Sequence, residues 1–213
     1  MTQLATPETQ APTTGAPGRR TLVGLAGAIL VCYVVMLGTG SDVHADTKLA
    51  DIKGFYDYDQ TTSQVMSYVG MVFVALVVFF GAAVRHALRQ SRATWLADVS
   101  FFGFGALAAT FASWVVTDSA LWRAVDYGDE SSIRSLAAIS DAGFLPLMAS
   151  MIAVYVGTGL VGLTTGAIPK WLAVTSVGIG VVAPMSILGF IGASLLPLWV
   201  LALAITVRLE PSA

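Results

Sequence analysis

Few residues in this chain have the type and spacing to do chemistry. Asp98 follows Trp95-Leu96-Ala97 at the start of an apolar stretch and precedes Phe101, Phe102 and Phe104. A carboxyl facing such rings in an apolar pocket is disfavoured in its charged form. It can then keep its proton near neutral pH, as a general acid must. Aromatic faces would stabilise a cation formed by that proton, so the reaction on this reading is acid-initiated cyclisation of an isoprenoid (terpene) chain. The structural reading of Asp98 is simpler: in the first turn of a helix it suits the positive end of the helix dipole and can pair with Arg85, Arg89 or Arg92. Phe101, Phe102 and Phe104 are spaced so that they cannot all share one helix face.

A second set lies further along. Asp118, Asp126, Asp129 and Glu130 stand with Trp122, Arg123, Tyr127 and Arg134 in 118–135, read as a charged hairpin loop. Such a group is a solvated face with internal ion pairs, or it receives a cation or cationic ligand. Ser140 and Asp141 read as a helix amino-terminal cap or as a ligand contact. The expected ligand-contacting residues are Phe101, Phe104, Trp114, Trp122, Asp118, Asp141 and Tyr155. Asp57-Tyr58-Asp59 resembles the start of a calcium loop, but no glycine fills the sixth position and Tyr68 stands at the twelfth, where glutamate is needed. Two histidines and the single Cys32 cannot assemble the usual zinc or haem site. There is no phosphate loop or nucleophile elbow, and no metal or cofactor is expected.

The elements that must position these residues follow from composition. Of 213 residues 56% are hydrophobic and 11% charged, with a mean hydropathy of +0.77, whereas soluble domains carry about 25% charged residues. The chain reads as a membrane protein whose first partner is the bilayer. A net charge of -2 gives no basic footprint for nucleic acid. Backbone groups in lipid must bond within their own segment, and no alternating strands suggest a barrel, so the fold class is all-α: a polytopic transmembrane helical bundle.

Residues 1–20 form a polar, Pro- and Thr-rich tail that cannot repay the entropy of ordering. Spans of about 20 residues fall at 21–40, 65–84, 95–116, 139–163, 171–188 and 192–208, with 209–213 as a short end. The first could instead be a signal peptide cleaved near Val43-His44-Ala45. Between the first two spans, 41–64 carries five aspartates and room for a short interfacial helix. Basic residues resist translocation, which places Arg19, Arg20, Arg85, Arg89, Arg92, Lys170 and Arg208 inside. Only Lys48, Lys53, Arg123 and Arg134 are then outside, together with all of the thirteen acids except Glu8, Asp98 and Glu210. Six crossings with both termini cytoplasmic, in a bacterial inner membrane, is the resulting topology.

Within the spans, Gly24 with Ala28, Gly103 with Gly105, Gly157 with Gly159 and Gly162 with Gly166 allow close helix approach. Pro146, Pro184 and Pro197 should kink the last three crossings, which either opens a cavity or is absorbed by neighbouring helices. The tryptophans fall mostly near span ends, as an interfacial belt does. No ionisable residue lies mid-span, which argues against proton relays and voltage sensing. The hydroxyls there are expected to bond their own helix or a neighbour.

The stretch Gly166-Ala167-Ile168-Pro169-Lys170-Trp171-Leu172-Ala173 resembles an element of a broad bacterial group of uncharacterised six-helix integral membrane proteins. The basic connection before Trp95-Leu96-Ala97 and the Ser135-Leu136 stretch are similar to that group too. The resemblance spans about 20–208 and implies topology without a reaction. Three functions are therefore expected: a membrane protein binding an apolar small molecule or a partner membrane protein, a membrane-embedded terpene cyclase using Asp98, and a small transporter or self-immunity protein.

Overall fold

The computed structural model describes residues 17–39, 43–44, 46–58, 60–89 and 94–209. Most of the expected tail, Asp42, Arg92 and the side chains of Asp57, Tyr58 and Asp59 lie outside the described residues. The described chain is helical, with no strand: α1 Arg19–Thr39, α2 Leu49–Tyr58, α3 Gln60–Arg89, α4 Thr94–Tyr127, α5 Glu130–Ala142, α6 Phe144–Thr165, α7 Lys170–Val182, α8 Ser186–Ser194 and α9 Leu196–Thr206. Four segments are long and apolar enough to cross a membrane: Arg19–Gly38, Gln64–Arg89, Thr94–Tyr127 and Glu130–Thr165. A fifth is counted if α8 and α9, bent by 55° at their junction, form one broken span.

Helix α3 packs on α1 and α4, α6 on α4 and α7, and α9 on α1, closing a ring. Trp199 of α9 fills its centre. The ring of Trp199 stacks on Phe104 at 6.4 Å and meets Tyr155 at 4.5 Å, and its indole N–H donates to the buried Ser176 Oγ at 2.8 Å. It is therefore a core residue and no part of an interfacial belt; Trp95 and Trp171, both exposed, fit the belt. The small-residue expectation holds where α4, α6 and α7 touch. A Cβ on Gly103 would lie 2.7 Å from the Val154 backbone N, and one on Gly159 would lie 2.8 Å from the Ala173 carbonyl. Gly24 and Gly105 meet nothing, and Gly166 instead ends α6 with a left-handed φ of 70°. Hydroxyls at depth bond as expected: Ser100 to Thr158 across α4 and α6, Thr110 to the Ala106 carbonyl.

Several sequence expectations are corrected. The charged stretch 118–135 is no loop: α4 runs on to Tyr127, α5 begins at Glu130, and only Gly128 and Asp129 turn the chain. The basic connection after the second span is partly helical, since α3 continues to Arg89 and buries Ala87 and Leu88. The final turn falls at Ala183–Met185, with Gly189 and Gly192 inside α8. The prolines begin helices more than they kink them. Pro146 is the third residue of α6, Pro184 lies between α7 and α8, and Pro197 is in the first turn of α9, where a missing N–H costs least. The 55° bend falls beside Pro197. Proline at 197 has no N–H for the carbonyl one turn back, and the Tyr33 hydroxyl donates to that Ala193 carbonyl at 3.1 Å.

The bundle has two chemically distinct ends. At one, Arg19 Nη2 donates to the Val207 carbonyl and the Arg208 backbone N–H donates to the Ala167 carbonyl, with Arg85, Arg89 and Lys170 at the same level. At the other, α2, the last turns of α4 and α5 pack around Ile52, Tyr56, Leu121, Ile133 and Ala137, a small core of their own. This acid-end cap is fastened to the bundle by Tyr56, whose hydroxyl donates to Asp118 Oδ1 at 2.7 Å.

Candidate functional site

Below that cap lies a cavity of about 470 Å³ lined by α1, α3, α4, α5, α6, α8 and the 43–44 segment. Its walls are apolar: Met36, Leu37, Met66, Phe111, Phe144, Leu147 and Phe190, with Tyr33 and Ala193 toward the bundle interior. Its polar groups are His44, Asp118, Ser140, Asp141 and Ser194. A predominantly apolar hollow with a few convergent polar groups is the ordinary form of a small-molecule site.

Local structure explains why the cavity exists. The rod formed by α5 and α6 is interrupted at Gly143, where a Cβ would stand 2.1 Å from Trp114 Nε1. Glycine there lets the indole enter the break and donate to the Ser140 carbonyl at 3.2 Å, which also accepts from the Gly143 backbone N–H at 3.1 Å. An aromatic line continues inward, with Phe111 edge-on to Trp114 at 5.4 Å, Phe73 edge-on to Phe111 at 4.7 Å, and Tyr33 at 6.2 Å from Phe73. Rigid rings on three helices thus hold the wall. At the mouth, Asp141 Oδ1 lies 3.3 Å from His44 Nδ1, both side chains being about half exposed.

Three of the expected ligand-contacting residues meet here: Trp114, Asp118 and Asp141. Asp141 does so from the last turn of α5, not as a cap; the cap of α5 is Asp129, which accepts from the Ser131 backbone N–H. The other four are placed elsewhere. Tyr155 is wholly buried and donates to the Gly192 carbonyl at 3.0 Å. Phe104 is core, edge-on to Phe80 at 5.7 Å. Trp122 packs against the cap's own core. Phe101 lies at the arginine end, with the Arg85 guanidinium 5.0 Å from its ring centre.

Asp98 also belongs to the arginine end. Its Oδ1 accepts from Arg85 Nε at 2.7 Å, with Arg89 Nε at 4.0 Å, so the pairing reading of this residue describes what it does. Asp98 is held in an ion pair with a guanidinium through Oδ1, and it does not line the cavity. That geometry argues against Asp98 as the acid of a cyclase. Among the described residues no group of three or more His, Cys, Asp or Glu side chains could hold a metal ion.

Sequence reasoning missed His44, Tyr33, Phe111, Phe144 and Phe190. The signal for Phe111 and Phe144 was slight, an aromatic on either side of Trp114 and Gly143; for the rest the packing alone brings them together. No family model, curated protein or solved structure matches the chain.

Proposed function

We propose that this is a six-crossing membrane protein of the bacterial inner membrane, with its arginine end in the cytoplasm, that binds an apolar small molecule in the cavity under the acid-end cap. The observation that carries the reading is the cavity itself, apolar through most of its lining and walled by ordered aromatic rings. Burial of an apolar ligand there yields about 25 cal/mol per Å² removed from water, and the rings are already in place, so little further ordering opposes it.

Six crossings are supported by how α7, α8 and α9 run beside α6. Gly162 lies against Ala173, Gly159 against Val177 and Gly180 against Val156, while Gly189 sits between Ala183 and Met148. The segment from α7 into α8 therefore follows α6 from Gly162 to Met148, about 21 Å of that helix and most of the roughly 30 Å core, although α7 itself has only 13 residues. Helices α8 and α9 return to the level of Ala167, where Arg208 bonds. The excess of Arg and Lys at that end supports its cytoplasmic placement. The cyclase reading gains no support from Asp98.

The test of binding uses a long-chain alkyl alcohol titrated into the protein in maltoside micelles, followed by tryptophan emission and counted by native mass spectrometry. One equivalent should bind, and Ala193→Trp, which fills the cavity, should weaken binding at least tenfold. Binding unchanged by Ala193→Trp would place the ligand elsewhere. Topology is tested in a Cys32→Ser background: an impermeant maleimide added to intact cells should label Glu130→Cys and leave Lys170→Cys unlabelled.

A further inference from the structure

We infer that the occupant of this cavity is an amphiphile with a cationic, amine-type head whose charge is met by Asp141. The inference rests on the cavity taking an apolar body, as proposed above, and adds the chemistry of its head. Charge is the first observation. Asp118 and Asp141 line the cavity and, among the described residues, no lysine or arginine does. An anionic head is repelled at such a mouth, and a neutral one offers Asp141 no charge of opposite sign.

Geometry is the second. The His44–Asp141 contact is long at 3.3 Å and uses only Oδ1. Asp141 Oδ2 has no hydrogen-bond partner among the described residues, which leaves it able to accept from an ammonium N–H. Below it stand the rings of Trp114, Phe111 and Phe144, whose faces favour a cation within about 6 Å.

The third observation selects an amphiphile over a small water-soluble cation. Leu37 and Phe190 both line the cavity, yet they are 66% and 64% exposed, so the cavity reaches the flank of the bundle between α1 and α8. Leu37 stands about 27 Å along α1 from Arg19, near the far face of a hydrocarbon core about 30 Å thick. A molecule lying at that depth has its tail in apolar surroundings and its head level with the carboxylates.

The experiment compares an alkyl amine, alcohol and carboxylate of one chain length against the protein in maltoside micelles, with ethylamine as the head without its tail. The amine should bind at least tenfold more tightly than the alcohol and the carboxylate most weakly, with ethylamine failing to compete. Asp141→Asn should bring the amine to the level of the alcohol and leave the alcohol unchanged, while His44→Ala should preserve the wild-type order. Equal binding of amine and alcohol to the wild-type protein overturns the inference and leaves the apolar site standing. Effective competition by ethylamine overturns it too, by making this a site for the cation alone. If none of the chains binds, this inference and the proposed function fall together.

Discussion

The arginine end and the acid end of the bundle differ in charge and also in how they are packed. At the arginine end, charged groups are spent on other parts of the same chain: Asp98 on Arg85, Arg19 on the Val207 carbonyl. Close to it, small residues let α4, α6 and α7 touch backbone to backbone, and Trp199 plugs the middle. At the acid end the hydrophobic contacts are made in a separate cap above the bundle, and Tyr56, Trp114 and His44 hold the cap off as much as they hold it on. One end is sealed and the other propped. The lesson is that where a membrane bundle places its second small core decides where it can leave a void, since a void costs packing that must be recovered nearby.

That comparison is broken most decisively by Trp199→Ala. Removing the plug should lower stability by about 3–5 kcal/mol, read as a large fall in thermal midpoint in micelles. Phe144→Ala, which only enlarges an existing hollow, should cost much less; equal losses would mean the two ends are packed alike. Gly103→Leu should next prevent a monodisperse protein from forming, because its side chain meets the α6 backbone, whereas Gly105→Leu, with open space around it, should be tolerated.

Asp98→Asn sharpens the contrast. It leaves the half-buried Arg85 without its counter-charge, so the thermal midpoint should drop, yet alcohol binding at the far end should not change. Tyr33→Phe should cost about 1 kcal/mol, since it strips the donor from the Ala193 carbonyl that Pro197 cannot serve.

The smallest effect expected is in the cap. The Ser132 hydroxyl above all, with Ser131, holds the Asp129 carboxyl below the usual carboxylate range, against a smaller opposing push from desolvation. A group lowered on folding contributes stability above its unfolded value, near 3.9, and that contribution fades as pH falls through the lowered value. Amide exchange in α5 should therefore quicken, relative to α6, as the pH is taken below about 3.9, and Asp129→Ala should abolish that pH dependence.

How much of this was readable beforehand divides along the same line. The apolar spans, the helical class, the close approach at Gly103, Gly157 and Gly159, and the pairing of Asp98 with Arg85 follow from composition and short spacings. The cap does not, because 118–135 is rich in charge and such a stretch reads as a loop. Its apolar residues, Leu121, Ala124, Val125, Ile133 and Ala137, recur at helical spacing within that charge, and periodicity there was the better guide. Tyr155 and Phe104 read as ligand contacts because type alone cannot distinguish an aromatic that faces a void from one that fills it. The cavity depends on α1, α4, α6 and α8 converging, and no local pattern encodes that.

The closure between α1 and α9 has a consequence for the order of events during synthesis. Arg19 and Val207, joined by a hydrogen bond, are 188 residues apart, among the most distant contacts that a chain of this length can make. Helix α1 meets α3 within a few dozen residues of its own synthesis, but its second neighbour, α9, is made only after every helix between them. Contacts of such separation form late. Until α9 is made, the nascent bundle is therefore an open fan in which α1 waits, one flank unpaired, for that eleven-residue helix to dock beside it.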